Sequence, residues 1–392
     1  MQIAAKLRVL KTSMLIIIVL IAILLLELFA SHLIPPSDNF YIWPPGLEKT
    51  FTPDQEILPG TSPRVWFRTN SYGLRSYNPA PNDDYRALVL GGSAAECLYL
   101  DERATWPRLI LSNLQQEQPR LQAWVGNGGR SGMNSRDHIC HLKYLPLRSP
   151  LDVDAVIILL GVNDLLLRLR QGDTFDPLYL KQPGAETRQL DHAFLFVPYQ
   201  FSLPPPPLYK RTGLWRVAKR IGRRFFSERP QDARGEMVAL WRENRRSSAI
   251  RIDRLPDLGP ALREYLSNIQ ELIDLASIKD VRLIFVTQPA LWKKDPSPEE
   301  ENRLWMGGVG PFKTSRGQPY YTARALADGL ERYNQFLVSF CRWRGVECID
   351  LAAGFPRTTD VFYDDCHFTV QGSELAAREI SRYLSQHPPW KQ

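Results

Sequence analysis

Three polar side chains in this sequence could together carry out nucleophilic chemistry. Near the start of the globular part, an apolar run ends at two glycines, after which Ser93 begins a helical pattern. After the last apolar run, Asp364 precedes His367 by three residues. An aspartate beside a histidine can fix its tautomer and stabilise its cation, which is how a serine hydroxyl becomes a nucleophile. The simpler alternatives are a helix N-cap for Ser93 and a solvated surface position for the acid and the imidazole.

Two further segments carry groups that could stabilise a developing negative charge. "GNGGRSGMNS" (126–135) and "GVND" (161–164) each follow an apolar run. Glycine lets the backbone approach a ligand closely, and the side-chain amide of Asn163 is a neutral hydrogen-bond donor. Glycine and asparagine are also ordinary turn residues, so each segment has a purely structural alternative.

The elements that must position these groups follow from the apolar runs. Continuous apolar strands separated by helical patterns are typical of a parallel sheet covered on both faces. Ligands of such α/β domains bind beyond the carboxyl ends of the strands, where the polar segments fall. The predicted strands are 87–90, 121–125, 155–160, 281–287 and 346–351.

These segments resemble the conserved blocks of the SGNH or GDSL-type hydrolases, in the family's order. The matching segments are "GGSAAE", "NGGRSGMNS", "GVND" and "DDCH", with "FVTQP" before the last of them. The lead-in "FRTNSYGLRSY" (67–77) is similar to one found in many bacterial, membrane-anchored members. The resemblance implies a three-layer α/β/α, flavodoxin-like domain with a five-stranded parallel sheet.

The resemblance also implies a role for each matching residue. Ser93 corresponds to the nucleophile, His367 to the base and Asp364 to the group that orients it. Gly132 and Asn163, with the Ser93 amide, correspond to the oxyanion donors. One departure is clear, because Gly92 stands where the family usually has an aspartate, and Asp365 has the wrong spacing for the orienting role.

The implied activity is hydrolysis of an ester through an acyl-enzyme, on an O-acyl or O-acetyl group of an envelope glycan or lipid. No cofactor and no metal is implied, because His138 and His141 lack a convincing ligand set and are interpreted as helix-surface or core histidines. Two alternatives remain open. The same serine could transfer an acetyl group to a polysaccharide, or the chain could be a non-catalytic envelope assembly protein that retains the fold.

The N-terminal segment indicates a membrane location. Residues 14–34 are apolar over about the 20 residues that span a bilayer, with Glu27 as the one formal charge. Lysine and arginine precede the run and none follows until Lys49, which predicts a cytoplasmic N-terminus in the inner membrane and a periplasmic or extracellular catalytic domain. The length favours a retained anchor over a cleaved signal peptide.

The chain is therefore expected to have three parts. Residues 1–34 form the cytoplasmic N-terminus and transmembrane anchor, 35–66 an extended stalk rich in proline, and 67–388 the hydrolase domain. The hydrolase domain carries an inserted region at about 167–262.

The net charge of +7 is concentrated in one part of that insertion. Segment 201–226 has seven basic residues and no acid, so basic and acidic residues are equal in number in the rest of the chain. Apolar residues recur on one face of 213–226, a pattern typical of an interfacial helix, although a basic helix packed on the domain would have the same pattern. Nucleic acid is not expected as a partner outside the cytoplasm. The residues predicted to face the membrane surface are Arg216, Lys219, Arg220, Arg223 and Arg224.

Overall fold

The fold was analysed from a computed structural model that describes residues 2–33, 39–201, 207–218, 233–314 and 316–388. The described residues belong to two compact units. The smaller unit comprises 1–39 and 197–231, and the larger one comprises 40–196 and 232–392.

The smaller unit contains one long apolar helix. Helix α1 spans Gln2–Leu33, and its stretch Lys11–Leu33 is long and apolar enough to cross a membrane. Its large apolar side chains from Met14 to Phe29 are exposed. The unit also contains a short 3₁₀ turn at Leu208–Arg211 and a short helix, α7, over residues 213–218.

The larger unit alternates strands and helices. Its strands are β1 (Glu48–Phe51), β2 (Val65–Arg68), β3 (Tyr85–Gly91), β4 (Ala123–Asn127), β5 (Ala155–Leu160), β6 (Arg251–Ile252), β7 (Arg282–Thr287), β8 (Tyr320–Tyr321) and β9 (Glu347–Ile349). Its helices are α2 (Ser93–Glu96), α3 (Trp106–Glu117), α4 (Ser135–Tyr144), α5 (Val162–Gln171), α6 (Ala185–Ala193), α8 (Glu236–Arg246), α9 (Gly259–Lys279), α10 (Pro298–Arg303), α11 (Ala323–Arg344), α12 (Leu351–Gly354) and α13 (Val370–Gln386).

The five predicted strands form one parallel sheet, as expected. The strand order is β4-β3-β5-β7-β9, which in chain order is the 2-1-3-4-5 arrangement of flavodoxin-like folds. Helices α3 and α13 pack against each other in one layer, and α4, α5, α9 and α11 pack in the other. The predicted α/β fold is thereby confirmed, and the strand ends carry the polar segments.

Residues 40–66 differ from the extended stalk predicted over 35–66. They belong to the larger unit, where β1 and β2 pair antiparallel and Phe40, Ile42 and Leu58 are buried. Single apolar side chains scattered among prolines find places in the core, although they show no periodicity that would reveal it. Residues 34–38 lie outside the described part.

Candidate active site

The residue predicted as nucleophile stands at the first position of α2. The N-cap is Gly92, so Ser93 does not cap the helix, and its hydroxyl lies 2.6 Å from Nε2 of His367. The N-cap alternative for Ser93 is therefore not what the structure has. Ser93 is instead half-buried just beyond the carboxyl end of β3, an inner strand of the sheet that lies between β4 and the central strand β5.

Helix α2 is only four residues long, but side chains from elsewhere hold its carbonyl oxygens. Trp106 donates its indole N–H to Ala94 at 2.9 Å, and Asn127 donates its amide to Ala95 at 2.8 Å. Arg75 donates to the next carbonyls, those of Glu96, Cys97 and Leu100, at 2.6, 2.7 and 2.6 Å. A single helical turn is unstable alone, so these donors fix where the Ser93 hydroxyl lies. Sequence reasoning did not identify Arg75, although it lies in the quoted lead-in.

The predicted acid and base meet as their spacing suggested. Nδ1 of His367 lies 2.8 and 2.7 Å from the two carboxylate oxygens of Asp364. Oδ1 of Asp364 also accepts the backbone N–H groups of Cys366 and His367 at 3.1 and 3.0 Å. The turn between the two residues therefore holds the carboxylate by its own backbone. This arrangement leaves Nε2 of His367 facing Ser93.

The charges of the pair support each other. Burial acts to lower the pKa of His367, but the Asp364 carboxylate outweighs it and the pKa lies above its ordinary value. Burial likewise acts to raise the pKa of Asp364, and the imidazole beside it brings that pKa below its ordinary value. The acid therefore stays ionised and stabilises an imidazolium when one forms.

Asp365, whose spacing was expected to be wrong, makes different hydrogen bonds. Its carboxylate accepts the Trp292 indole N–H at 2.8 Å and the backbone N–H groups of Trp305 and Met306 at 2.8 and 3.2 Å. Burial, with the neighbouring Asp364 charge, raises its pKa to about 6.

Asn163, the side chain predicted as an oxyanion donor, lies against Gly92, the residue before Ser93. Its Nδ2 donates to the Met133 carbonyl at 2.7 Å, and a Cβ added to Gly92 would lie 2.1 Å from the same nitrogen. The absence of a side chain at position 92 is what leaves room for Asn163. The departure from the family's usual aspartate therefore has a steric consequence here.

The glycine block crosses the end of β3. Arg130 donates its backbone N–H to the Gly91 carbonyl at 3.2 Å, and Gly132 has φ +85°, with open space where a Cβ would stand. Ser131 donates both its N–H and its hydroxyl to Glu96, at 2.6 and 2.5 Å. Glu96 is 2% exposed, and burial raises its pKa. Glu96 thus connects the glycine block to α2.

The asparagine block is hydrogen-bonded to the end of the glycine block. Asp164, next to Asn163, accepts the hydroxyl and the backbone N–H of Ser135 at 2.5 and 3.1 Å. Burial raises the pKa of Asp164 to about 7. The starts of α4 and α5, and with them the segments that hold Gly132 and Asn163, are therefore bonded to each other.

His138 and His141, which were not expected to bind a metal, lie in the core. Their Nδ1 atoms are 3.2 Å apart, and Nε2 of His141 lies 3.0 Å from the Ala193 carbonyl. Burial lowers the pKa of His141 to about 4 and that of His138 well below its ordinary value, which keeps both rings neutral.

The residues predicted to face a membrane surface are described only in part. Lys219, Arg220, Arg223 and Arg224 lie outside the described residues. Arg216 donates to the Ser31 hydroxyl of α1 at 3.1 Å. Glu27, the acid of the apolar run, accepts the first N–H groups of α7, those of Gly213 and Leu214. Within the smaller unit, α7 therefore begins on the carboxylate of the apolar helix.

Comparison with known proteins agrees with these motifs. Residues 89–375 match the model of the GDSL-like lipase/acylhydrolase family. A GDSL esterase/lipase of Arabidopsis thaliana, CPRD49, is 28% identical over 149 residues, which are 34% of this chain and 51% of the relative. The chain thus spans about half the length of that curated relative.

Similar solved structures include two enzymes. The acetylxylan esterase Axe2 of Geobacillus stearothermophilus has a TM-score of 0.40 and 14% identity, over 79% of this chain and 96% of that one. An α/β hydrolase, LAE5, from the metagenome of Lake Arreo has a TM-score of 0.40 and 13% identity, over 79% and 97%. Because the family model covers most of the sequence and contains Ser93 and all of the polar segments that follow the strands, the chain belongs to the GDSL-like lipase/acylhydrolase family.

Proposed function

We propose that the protein hydrolyses an O-acyl or O-acetyl ester of an envelope glycan or lipid, outside the cytoplasm, through an acyl-enzyme on Ser93. The observation that carries the proposal is the continuous chain of hydrogen bonds from Asp364 through His367 to Ser93. Family membership supports ester hydrolysis.

In the first half of the proposed reaction, Nε2 of His367 takes the proton from Ser93 as its oxygen attacks the ester carbonyl. The carbonyl π electrons move to the oxygen, and the resulting oxyanion accepts hydrogen bonds from the Ser93 and Gly132 amides and from Asn163. The ester C–O bond then breaks, and the leaving alcohol takes the proton from His367.

In the second half, a water molecule gives its proton to His367 and attacks the acyl-enzyme. Collapse of this second tetrahedral intermediate releases the carboxylic acid and returns the proton to Ser93. A sugar hydroxyl in place of water would make the same site an acetyltransferase. Product analysis with and without a sugar acceptor separates the two reactions.

The nucleophile is tested by covalent labelling of the full-length protein in detergent micelles. A fluorophosphonate probe is expected to modify Ser93, and Ser93→Ala is expected to abolish both labelling and hydrolysis of aryl acetate. Ser267→Ala, at an exposed serine of α9, serves as the matched control and should retain both. Labelling at another serine, or full activity of Ser93→Ala, would contradict the assignment.

We also infer that α1 is a retained anchor with its N-terminus in the cytoplasm. Lys6, Arg8 and Lys11 precede the apolar stretch, whereas the first basic residue after it is Lys49. A reporter fused after Lys49 should be active only if it functions outside the cytoplasm. A mature N-terminus near Ser31 would instead indicate a cleaved signal peptide.

Helix α7 is the part of the insertion that we propose to lie at the membrane surface. Glu27 holds its start at the end of the apolar helix, while Leu214 and Trp215 are 40% and 38% exposed. Tryptophan and arginine are residues that favour the lipid interface. A substrate close to the membrane would follow from this arrangement.

A further inference from the structure

The carboxylate that orients the catalytic histidine has a hydrogen-bond donor outside the four motifs. Trp305 donates its indole N–H to Oδ2 of Asp364 at 2.8 Å. Both residues are buried, with Asp364 fully inaccessible and Trp305 5% exposed. The other donors to this carboxylate, besides the imidazole itself, are backbone groups of Cys366 and His367 that bond to Oδ1. The indole therefore binds the carboxylate oxygen that accepts the imidazole but no backbone N–H of the turn.

The position of Trp305 is itself set by the second acid of the motif. Oδ2 of Asp365 accepts the backbone N–H of Trp305, and its Oδ1 accepts the indole N–H of Trp292. The Leu291 N–H donates to the Asp365 carbonyl at 2.8 Å. The two adjacent acids thus bind the two ends of one residue, since Asp365 holds the backbone of Trp305 and Asp364 receives its side chain.

Helix α8, which belongs to the inserted region, supplies the remaining contacts. Arg242 donates to the carbonyl of Arg303, and Arg245 donates to that of Met306, at 3.0 and 2.7 Å. The Trp241 ring lies against that of Trp305, with centroids 4.6 Å apart. The segment 303–306 is therefore held on both sides of Trp305 by one helix.

We propose that Trp305 is a positioning residue of the active site, which holds the Asp364 carboxylate at the angle that directs Nε2 of His367 toward Ser93. Helix α8 and Asp365 hold Trp305 in place. This inference rests on the proposed function, because it assigns a supporting role to a residue next to the proposed acid and base.

Loss of the Trp305 N–H should also change the pKa of His367, because charged groups surround the imidazole. Asp364, Asp365 and Glu96 all raise the pKa of His367, and Arg242 acts on Asp364. The indole N–H draws negative charge from Asp364, so its removal leaves a stronger negative potential at the imidazole. The pKa of His367 then rises, and the acid limb of kcat/KM moves to higher pH because the base must be neutral to accept a proton.

The test is Trp305→Phe in the full-length protein, which keeps an aromatic ring and removes the N–H. We expect kcat to fall about ten- to a hundredfold, as for loss of one hydrogen bond to a charged group, with KM little changed. The acid limb of the pH profile should also move upward. Trp343→Phe, at an exposed tryptophan of α11, is the matched control and should match the parent in both.

If Trp305→Phe does not fold, the indole is replaced by benzothienylalanine, in which sulfur takes the place of the N–H. A variant with parental kcat and an unmoved acid limb would overturn the positioning role, as would a loss of kcat with no movement of the limb. Failure of the proposed function is distinguishable, because Ser93→Ala would then remain active and the fluorophosphonate would label elsewhere.

Discussion

Restoring a side chain at position 92 should damage the site, even though the family usually has an aspartate there. A Cβ on Gly92 would lie 2.1 Å from Nδ2 of Asn163 and 3.2 Å from the Met133 carbonyl. The first distance is far inside the roughly 3.5 Å at which nonbonded heavy atoms rest, so Asn163 must move by more than about 1 Å. Gly92→Ala is the smallest substitution that tests this.

The expected magnitude follows from the role proposed for Asn163. Loss of one oxyanion donor lowers kcat by about 10²- to 10³-fold, and a misplacement of about 1 Å has a comparable effect. The pKa of His367 and the Ser93 hydrogen bond involve other atoms, so fluorophosphonate labelling should persist at a reduced rate. The assay is steady-state hydrolysis of aryl acetate, with thermal unfolding as a check on folding.

Two comparisons make the result decisive. Gly354→Ala is the matched control, because a Cβ at that glycine meets nothing within 4 Å. Asn163→Ala should lose about as much activity as Gly92→Ala, and the double variant should lose little more, because both changes remove the same donor. If Gly92→Ala retains kcat within about twofold, or if the two losses multiply in the double variant, the steric reasoning is refuted.

Three other outcomes are expected. Asp364→Asn should lower kcat by about 10⁴-fold and move the acid limb of kcat/KM to lower pH, because the raised pKa of His367 depends on that charge; an unmoved limb would contradict this. Arg75→Met should reduce the free energy of unfolding by about 3 kcal/mol or more, measured with urea, since three buried carbonyls lose their donor; an unchanged midpoint would show that they find other partners. A fluorophore on Leu214→Cys, in protein reconstituted into vesicles, should be quenched by lipid-borne nitroxide, whereas one on Ser267→Cys should not; equal quenching of the two would argue against a membrane position for α7.

Much of the fold could be predicted because buried parallel strands leave a clear pattern in the sequence. The run at 155–160 is apolar at every position, and the structure has β5 over the same residues. The ends of the other strands differ from the prediction by at most two residues, as at β3, because residues such as Tyr85 are buried without belonging to an uninterrupted aliphatic run. Strand ends then identify the neighbourhood of Ser93, since parallel strands all finish at one edge of the sheet.

The supporting residues could not be predicted, because their partners are distant in the sequence. From the sequence alone, Arg75 would be placed on the surface like most arginines, but the structure has it buried beneath α2. Trp305 lies about 60 residues from Asp364 in a segment without strand or helix periodicity. The role of Asp365 is equally hard to predict, because Asp364 alone accounts for the Asp-x-x-His spacing. Only the structure shows that Asp365 accepts the backbone N–H of Trp305.

The bonds that join residues 40–85 to the active site bear on how such a domain can be exchanged between proteins. Recombination that followed the region shared by sequence would begin at residue 89, inside β3. It would leave behind Arg75, which holds α2, and Trp43, whose indole donates to the Gly129 carbonyl at 3.1 Å. The segment that must be exchanged as a whole to keep the site intact is therefore longer than the segment that sequence similarity defines. It includes the proline-rich residues before β3, which the family match leaves out.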